Sequence, residues 1–169
     1  MKLVLATQNP KKLKEMNEIL SHLGVEVVSE AELGVRIEVE ETGETFTDNA
    51  RLKATAVMQA TGLPAVADDS GLCVDALNGG PGVYSARFGG EGLDDKGRYT
   101  LLLEMLRGQT DRAAHFHTSI VCAFPNGDEL VCEGECPGTI AFAPMGEGGF
   151  GYDPVFFVPE LRKTFGQLT

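Results

Sequence analysis

Residues 113–136 read "AAHFHTSIVCAFPNGDELVCEGEC", and they separate a mixed sheet from a purely parallel one. Two apolar-alternating runs flank Pro125-Asn126-Gly127-Asp128, and Asn-Gly between such runs marks a tight hairpin. The preceding chain has another rhythm: strand and helix patterns alternate, as in "LVLATQNPKKLKEMNEIL" at 3–20. Strand–helix alternation followed by a hairpin predicts an α/β fold with a mixed sheet flanked by helices.

Working back from the hairpin, "DDKGRYTLLLEMLRG" (94–108) reads as a helix closed by Gly108, and "PAVADDSG" (64–71) as a short strand ending in two carboxylates. The helix before it opens at Thr45, with Asp48 in capping-box position, and stops at Gly62 ahead of Pro64. "VRIEVEETGETF" (35–46) alternates, with Ile37 and Val39 opposite Glu38 and Glu40, which predicts a strand broken at Gly43. "VEVVS" (25–29) predicts another. Leu13, Met16, Leu20 and Leu23 give the first helix an apolar stripe that Gly24 ends. Forward of the hairpin, "GTIAFAP" (138–144) reads as a further strand, then "MGEGGFGYDPVFF" (145–157) is rich in glycine and aromatics.

At 169 residues and 43% hydrophobic, the chain is expected to form one domain over 1–169. Its net charge of −11 opposes broad contact with nucleic acid or an anionic membrane, since either polyanion would be repelled. No apolar run is long enough to span a bilayer and no secretory signal opens the chain, so a cytoplasmic location is expected. Cys73, Cys122, Cys132 and Cys136 contain no C-x-x-C pair and read as free thiols. His115 and His117, taken with Cys122, match no standard zinc spacing. They fall opposite the face shared by Phe116, Thr118, Ile120, Cys122 and Phe124, so no metal is expected there.

The chemistry concentrates elsewhere. Adjacent strand residues point to opposite sides, so of Asp68 and Asp69 one is a site candidate and the other a support. Carboxylates on strand ends of an α/β sheet suit Mg²⁺, with Glu40 as a second ligand; the bland reading is a polar turn of Asp68, Asp69 and Ser70. The turn before the first helix carries Asn9 and lysines but lacks P-loop glycines. Phe150 and Tyr152 are either an aromatic surface for a base or core packing under a loop. Phosphate-binding lysines, an acidic metal site and aromatics together make an inventory for a nucleotide.

Four blocks in register, "LATQNPKKLKE", "EETGETFTDNARLKA", "ADDSGLCVDALNGGPGVYSARF" and "GEGGFGYDPVFF", resemble the inosine triphosphate pyrophosphatase family, the non-standard purine nucleoside triphosphate pyrophosphatases. The resemblance implies Mg²⁺-dependent hydrolysis of ITP, dITP and XTP to the monophosphate and pyrophosphate. It also implies a homodimer, with an elongated mixed sheet in two lobes around a central nucleotide cleft. Residue by residue, it assigns Thr7, Asn9 and Lys12 to the triphosphate. Gln8 replaces a frequent glycine, and Pro10-Lys11 fills a variable position, which leaves Lys11 peripheral. Lys53 resembles a second phosphate contact, and Asp69 the essential acid that binds metal and serves as base. Glu40 resembles its metal-binding partner, with the adjacent Glu41 an open alternative. Ser70 contacts substrate. Phe150, Gly151, Tyr152 and Asp153 resemble a substrate-binding segment, in which Phe150 stacks on the purine and Asp153 reads its edge, and Lys163 lies near the nucleotide. Arg87 serves either the phosphate region or its own loop. Relatives of this kind continue into a helix with a Ser-His-Arg motif, and the sequence ends at Thr169 before it, so weakened selection among purines is expected.

Overall fold

The computed structural model describes residues 1–168. Eight strands form one sheet: β1 (Lys2–Leu5), β2 (Glu26–Ser29), β3 (Ala65–Val74), β4 (Gly80–Pro81), β5 (Ala113–Ala123), β6 (Glu129–Ile140), β7 (Phe156–Val158) and β8 (Lys163–Thr164). Their order is β2-β1-β3-β5-β6-β7-β8, with β4 on β3. The helices are α1 (Pro10–Ser21), α2 (Phe46–Thr61) and α3 (Asp95–Met105). β1 runs parallel to β2 and β3, whereas β3–β4, β6–β7 and β7–β8 are antiparallel, so the sheet is mixed as the hairpin predicts.

The chain divides into two compact units, one of residues 1–69 and 118–134, the other of 70–117 and 135–169. In the first, strand alternation sorts the core by side. Ala65 and Ala67 of β3, with Val121 and Ala123 of β5, pack against Ala50, Ala54 and Val57 of α2. Val66 and Ile120 point the other way and meet Leu13, Met16 and Leu20 of α1. α2 is further tied to the hairpin: Thr47 Oγ1 lies 2.6 Å from Ser119 Oγ and 2.9 Å from Glu133, and Arg51 grips Glu129 at 2.9 Å. These contacts fix the rotation of α2 about its axis. The second unit buries Leu72, Val74, Leu102, Leu106, Tyr152 and Phe156 around a ring cluster in which Phe116 meets Phe156 edge-on at 4.6 Å.

The caps follow the sequence. Thr45 accepts the Asp48 amide at 3.1 Å, and Gly62, at φ +69°, ends α2. Four readings need correction. The 35–46 run forms no strand, because side chains meet its backbone: Ile37 N donates to Glu30 at 2.9 Å and Gly43 N to Asn49 at 2.7 Å. The 64–71 strand does not end at its carboxylates; apolar Leu72 and Val74 extend it, so Asp68 and Asp69 lie mid-strand. The two segments after the Asn-Gly turn are a single strand, β6. Gly138 does not break it but admits β7, since a Cβ there would lie 2.6 Å from the Phe156 ring and the Phe157 carbonyl. Leu23 leaves the α1 stripe and is 71% exposed.

Candidate active site

Alternation along β3 determines what each acid meets. Asp68 shares the parity of Val66 and faces α1, where Lys12 Nζ reaches its Oδ2 at 2.7 Å. Asp69 shares the parity of Ala65 and Ala67 and faces α2. Both are more than nine-tenths buried, so each needs a partner.

On α2, Asn49 and Lys53 are four residues apart and share a face. Asn49 Nδ2 donates to Asp69 Oδ2 at 3.3 Å, while its Oδ1 accepts the Gly43 amide at 2.7 Å. Lys53 Nζ donates to the Asp68 carbonyl at 2.7 Å, pairs with Glu41 at 2.8 Å and lies 3.6 Å from Asp69 Oδ1. One ammonium therefore sits among two carboxylates and a carbonyl. Gly43 is required here: any Cβ would meet Asn49 Oδ1 at 2.6 Å and Asp48 Cβ at 2.7 Å.

Desolvation dominates the electrostatics of Asp69. Burial pushes its carboxyl above the usual carboxylate range and Glu41 pushes the same way, against Lys53, Asn49 and Lys12. A buried carboxylate held above its ordinary pKa, with a lysine beside it, is a poised proton acceptor. The donor set also fits a hard dication: Asp69 and Glu41 offer carboxylate oxygens, and the Lys53 ammonium already stands as a cation between them.

Of the two glutamates, the structure brings Glu41 to Asp69. Glu40 is exposed, and its carbonyl accepts the Thr42 amide at 3.0 Å. The turn before α1 is built by its own side chains. Thr7 Oγ1 accepts the Asn9 amide at 3.2 Å, and Asn9 caps the helix by accepting Lys11 N at 3.0 Å. Lys11 is exposed, as a peripheral residue should be. Asn49 is the residue that sequence reasoning missed. Its signal was available inside "FTDNARLKA": a polar residue one helical turn before Lys53, on the face that must pack inward.

In the second unit the glycine-rich loop folds on itself. Asp153 Oδ2 accepts the Phe150 amide at 3.0 Å, and Asp95 Oδ2 accepts the Gly151 amide at 2.8 Å. Gly149 has φ +72°, and a Cβ there would overlap the Asp153 carboxylate. Tyr152 is buried, its hydroxyl donates to the Ser85 carbonyl at 2.6 Å, and burial raises its pKa to about 12. That gives Tyr152 a packing role and leaves Phe150, only half-buried, as the aromatic with a reachable face. Arg87 is exposed with its guanidinium 5.7 Å from the Tyr84 ring. Lys163 is exposed on β8, and Ser70 is half-buried on β3.

An open mixed sheet with a buried carboxylate–lysine group at mid-strand places the chain among α/β proteins with a charged site built into the sheet. The chain belongs to the Ham1 family, which it matches over residues 3–169. It is 54% identical over 170 residues to a dITP/XTP pyrophosphatase of Desulforamulus reducens, spanning 99% of this chain and 85% of that protein. It is 50% identical over 168 residues to a dITP/XTP pyrophosphatase of Exiguobacterium, spanning 99% and 86%. The solved structure of a HAM1 protein from Coxiella burnetii superposes with a TM-score of 0.93 at 43% identity, covering 100% of this chain and 87% of that one. The resemblance read from four sequence blocks thus extends along nearly the whole chain.

Proposed function

We infer that this protein hydrolyses non-standard purine nucleoside triphosphates, ITP, dITP and XTP, to the monophosphate and pyrophosphate. The observation that carries the reading is Asp69: buried, held above its ordinary pKa, and set against Lys53 and Glu41. The names of the two bacterial relatives supply the substrate class.

In this reading Mg²⁺, when bound by Asp69 with Glu41, supplies positive charge against the charge developing on the phosphates. Asp69 orients the attacking water and takes its proton, for which a carboxylate pKa raised toward neutrality is favourable. Lys53 neutralises phosphate charge and keeps two carboxylates together that would otherwise repel. Lys12, near the start of α1, meets the triphosphate with Thr7 and Asn9, where helix amides favour anions. In the second unit Phe150 stacks on the purine, Asp153 reads its edge by way of the loop it closes, and Ser70, Gly151 and Lys163 contact substrate. Arg87, over Tyr84, serves its own loop.

A homodimer belongs to the same reading. Free Cys73, Cys122, Cys132 and Cys136 suit a reducing cytoplasm, and among the described residues no helix is long and apolar enough to cross a membrane.

The test is a panel of nucleoside triphosphates incubated with the protein and Mg²⁺, following pyrophosphate and orthophosphate separately. Pyrophosphate released from ITP and XTP well ahead of ATP is expected. Orthophosphate alone, or no turnover on any purine, overturns the reading.

A further inference from the structure

The β5–β6 pair carries a second group of potential ligands. His115 and His117 are two apart on β5 and so share one face, opposite Phe116, whose ring is committed to the core. Farther along the same pair of strands, the Ile140 amide donates to the Arg112 carbonyl at 2.8 Å. Counting in step from that pair puts His117 directly across from Glu135. The side chains agree: His117 Nδ1 is 3.1 Å from Glu135 Oε1, and His115 Nε2 is 3.8 Å from the same oxygen. One ligand atom from each of the three residues lies within 4.8 Å of the others.

We propose that His115, His117 and Glu135 form a binding site for a transition-metal dication of the Zn²⁺ class, distinct in ligand chemistry from the Asp69 group. The ligand types argue for the metal class. Two imidazoles and one carboxylate suit Zn²⁺, Ni²⁺ or Cu²⁺, whereas Mg²⁺ and Ca²⁺ select all-oxygen sites such as Asp69 with Glu41. The distances argue for the geometry. Metal–ligand bonds of about 2.0–2.2 Å put tetrahedral ligand atoms roughly 3.3 Å apart, and the two contacts to Glu135 already bracket that spacing. The ligand nitrogens of the two imidazoles lie within 4.8 Å of each other, and rotation of these side chains is the movement that closes them on a metal. Exposure argues for access: the side chains are 33%, 17% and 60% exposed, sheltered on the strand and open to solvent at the carboxylate. Three protein ligands leave a fourth position for water or a ligand from outside.

Sequence spacing pointed away from this site because it paired the histidines with Cys122, which lies on the other face of β5 with Ile120. The third ligand comes from across the hairpin, eighteen residues away in sequence.

The test titrates Zn²⁺ into the metal-stripped full chain in saturating Mg²⁺, by calorimetry, for the unsubstituted protein, the His115→Gln/His117→Gln double variant and Glu135→Gln. One Zn²⁺ per chain is expected to bind the unsubstituted protein, with affinity falling at least about tenfold in each variant. Co²⁺ should give a d–d spectrum without the thiolate charge-transfer band that a cysteine ligand would add. Circular dichroism of the metal-free variants checks that they fold; should the double variant fail, Glu135→Gln and the Co²⁺ spectrum decide. No Zn²⁺ binding over the Mg²⁺ background, equal affinity in the folded variants, or a thiolate band each overturns the proposal. None of these readouts depends on hydrolysis.

Discussion

The Asp69 group and the Gly149–Asp153 loop both bring buried or half-buried carboxylates against polar partners, yet their interactions close differently. In the loop, Asp153 accepts an amide three residues away, Asp95 accepts another, and the Tyr152 hydroxyl meets a carbonyl. These bonds satisfy the backbone of one turn and leave nothing under tension. At Asp69 the arrangement is frustrated: desolvation pushes the carboxyl up although an ammonium and an amide stand beside it. Satisfied hydrogen bonding marks a scaffold, and an imperfectly neutralised buried charge marks chemistry. Substitutions should therefore separate the two regions, lowering turnover without loss of stability in the first and lowering stability in the second.

The largest effect is expected at Asp69→Asn. Removing the proton acceptor should cost about 10²–10⁴-fold in kcat, while the fold is retained or strengthened. The sign follows from the raised folded pKa. Asp69 holds its proton more tightly folded than unfolded, so its contribution is favourable below the unfolded pKa and is lost as pH rises through the folded one. At pH 7 the ionised form is a net cost, which asparagine removes. Thermal unfolding should give the variant an equal or higher Tm at pH 7, with the difference shrinking as pH falls below the ordinary carboxylate range. A variant that is inactive and clearly less stable at pH 7 would make Asp69 a residue the fold depends on.

Next comes Lys12→Ala. Lys12 contacts Asp68 at 2.7 Å on the α1 side of β3. Losing one charge-assisted phosphate contact of about 1.5–3 kcal/mol should weaken ITP and pyrophosphate binding by roughly 10–150-fold while sparing inosine, as equilibrium binding would show. Equal losses for all three ligands would mean that Lys12 serves Asp68 rather than phosphate.

How far the sequence reached differs between these regions for physical reasons. Period-2 alternation in "AVADDSG" separates Asp68 from Asp69 without coordinates, and β3 bears it out. The choice between Glu40 and Glu41 was not legible. It depends on a segment whose backbone is held by Glu30 and Asn49 side chains, so strand periodicity does not apply there. The spacing of Asn49 to Lys53 marks it as an inward polar residue, but its partners, Gly43 and Asp69, are distant from each other in sequence and only the fold brings them to it. Tyr152 reads equally as a binding aromatic or a core residue because "GFGYDP" shows its neighbours but not Ser85, whose carbonyl accepts its hydrogen bond.

In the loop, Gly149→Ala should act on stability. A left-handed φ of +72° and overlap with the Asp153 carboxylate together cost about 1–3 kcal/mol, or a fall of roughly 2–12 °C in Tm for a chain of this size. Turnover measured well below the new Tm should change far less than in Asp69→Asn. A Gly149→Ala protein of unchanged Tm would show that the loop adjusts freely and is no scaffold.

The smallest effect is expected at Tyr152→Phe, and it tests the assignment most finely. The ring is buried among Val155, Phe156 and α3 residues, so phenylalanine keeps the packing and removes only the bond to the Ser85 carbonyl. A neutral hydrogen bond contributes about 0.5–1.5 kcal/mol, and the abandoned carbonyl adds a desolvation cost. Ser85 stays anchored by its own hydroxyl, which accepts the Leu72 amide at 2.9 Å and donates to the Gly82 carbonyl at 2.6 Å, so the change should remain local. A Tm lower by about 2–6 °C with KM for ITP unchanged is the outcome expected of a strut. Because the phenol stays protonated up to about pH 12, it offers no titration at working pH, and the pH–rate profiles of the two proteins should superimpose. A raised KM with unaltered Tm would instead return Tyr152 to the substrate side, and the loop would then share the chemistry assigned to the Asp69 group.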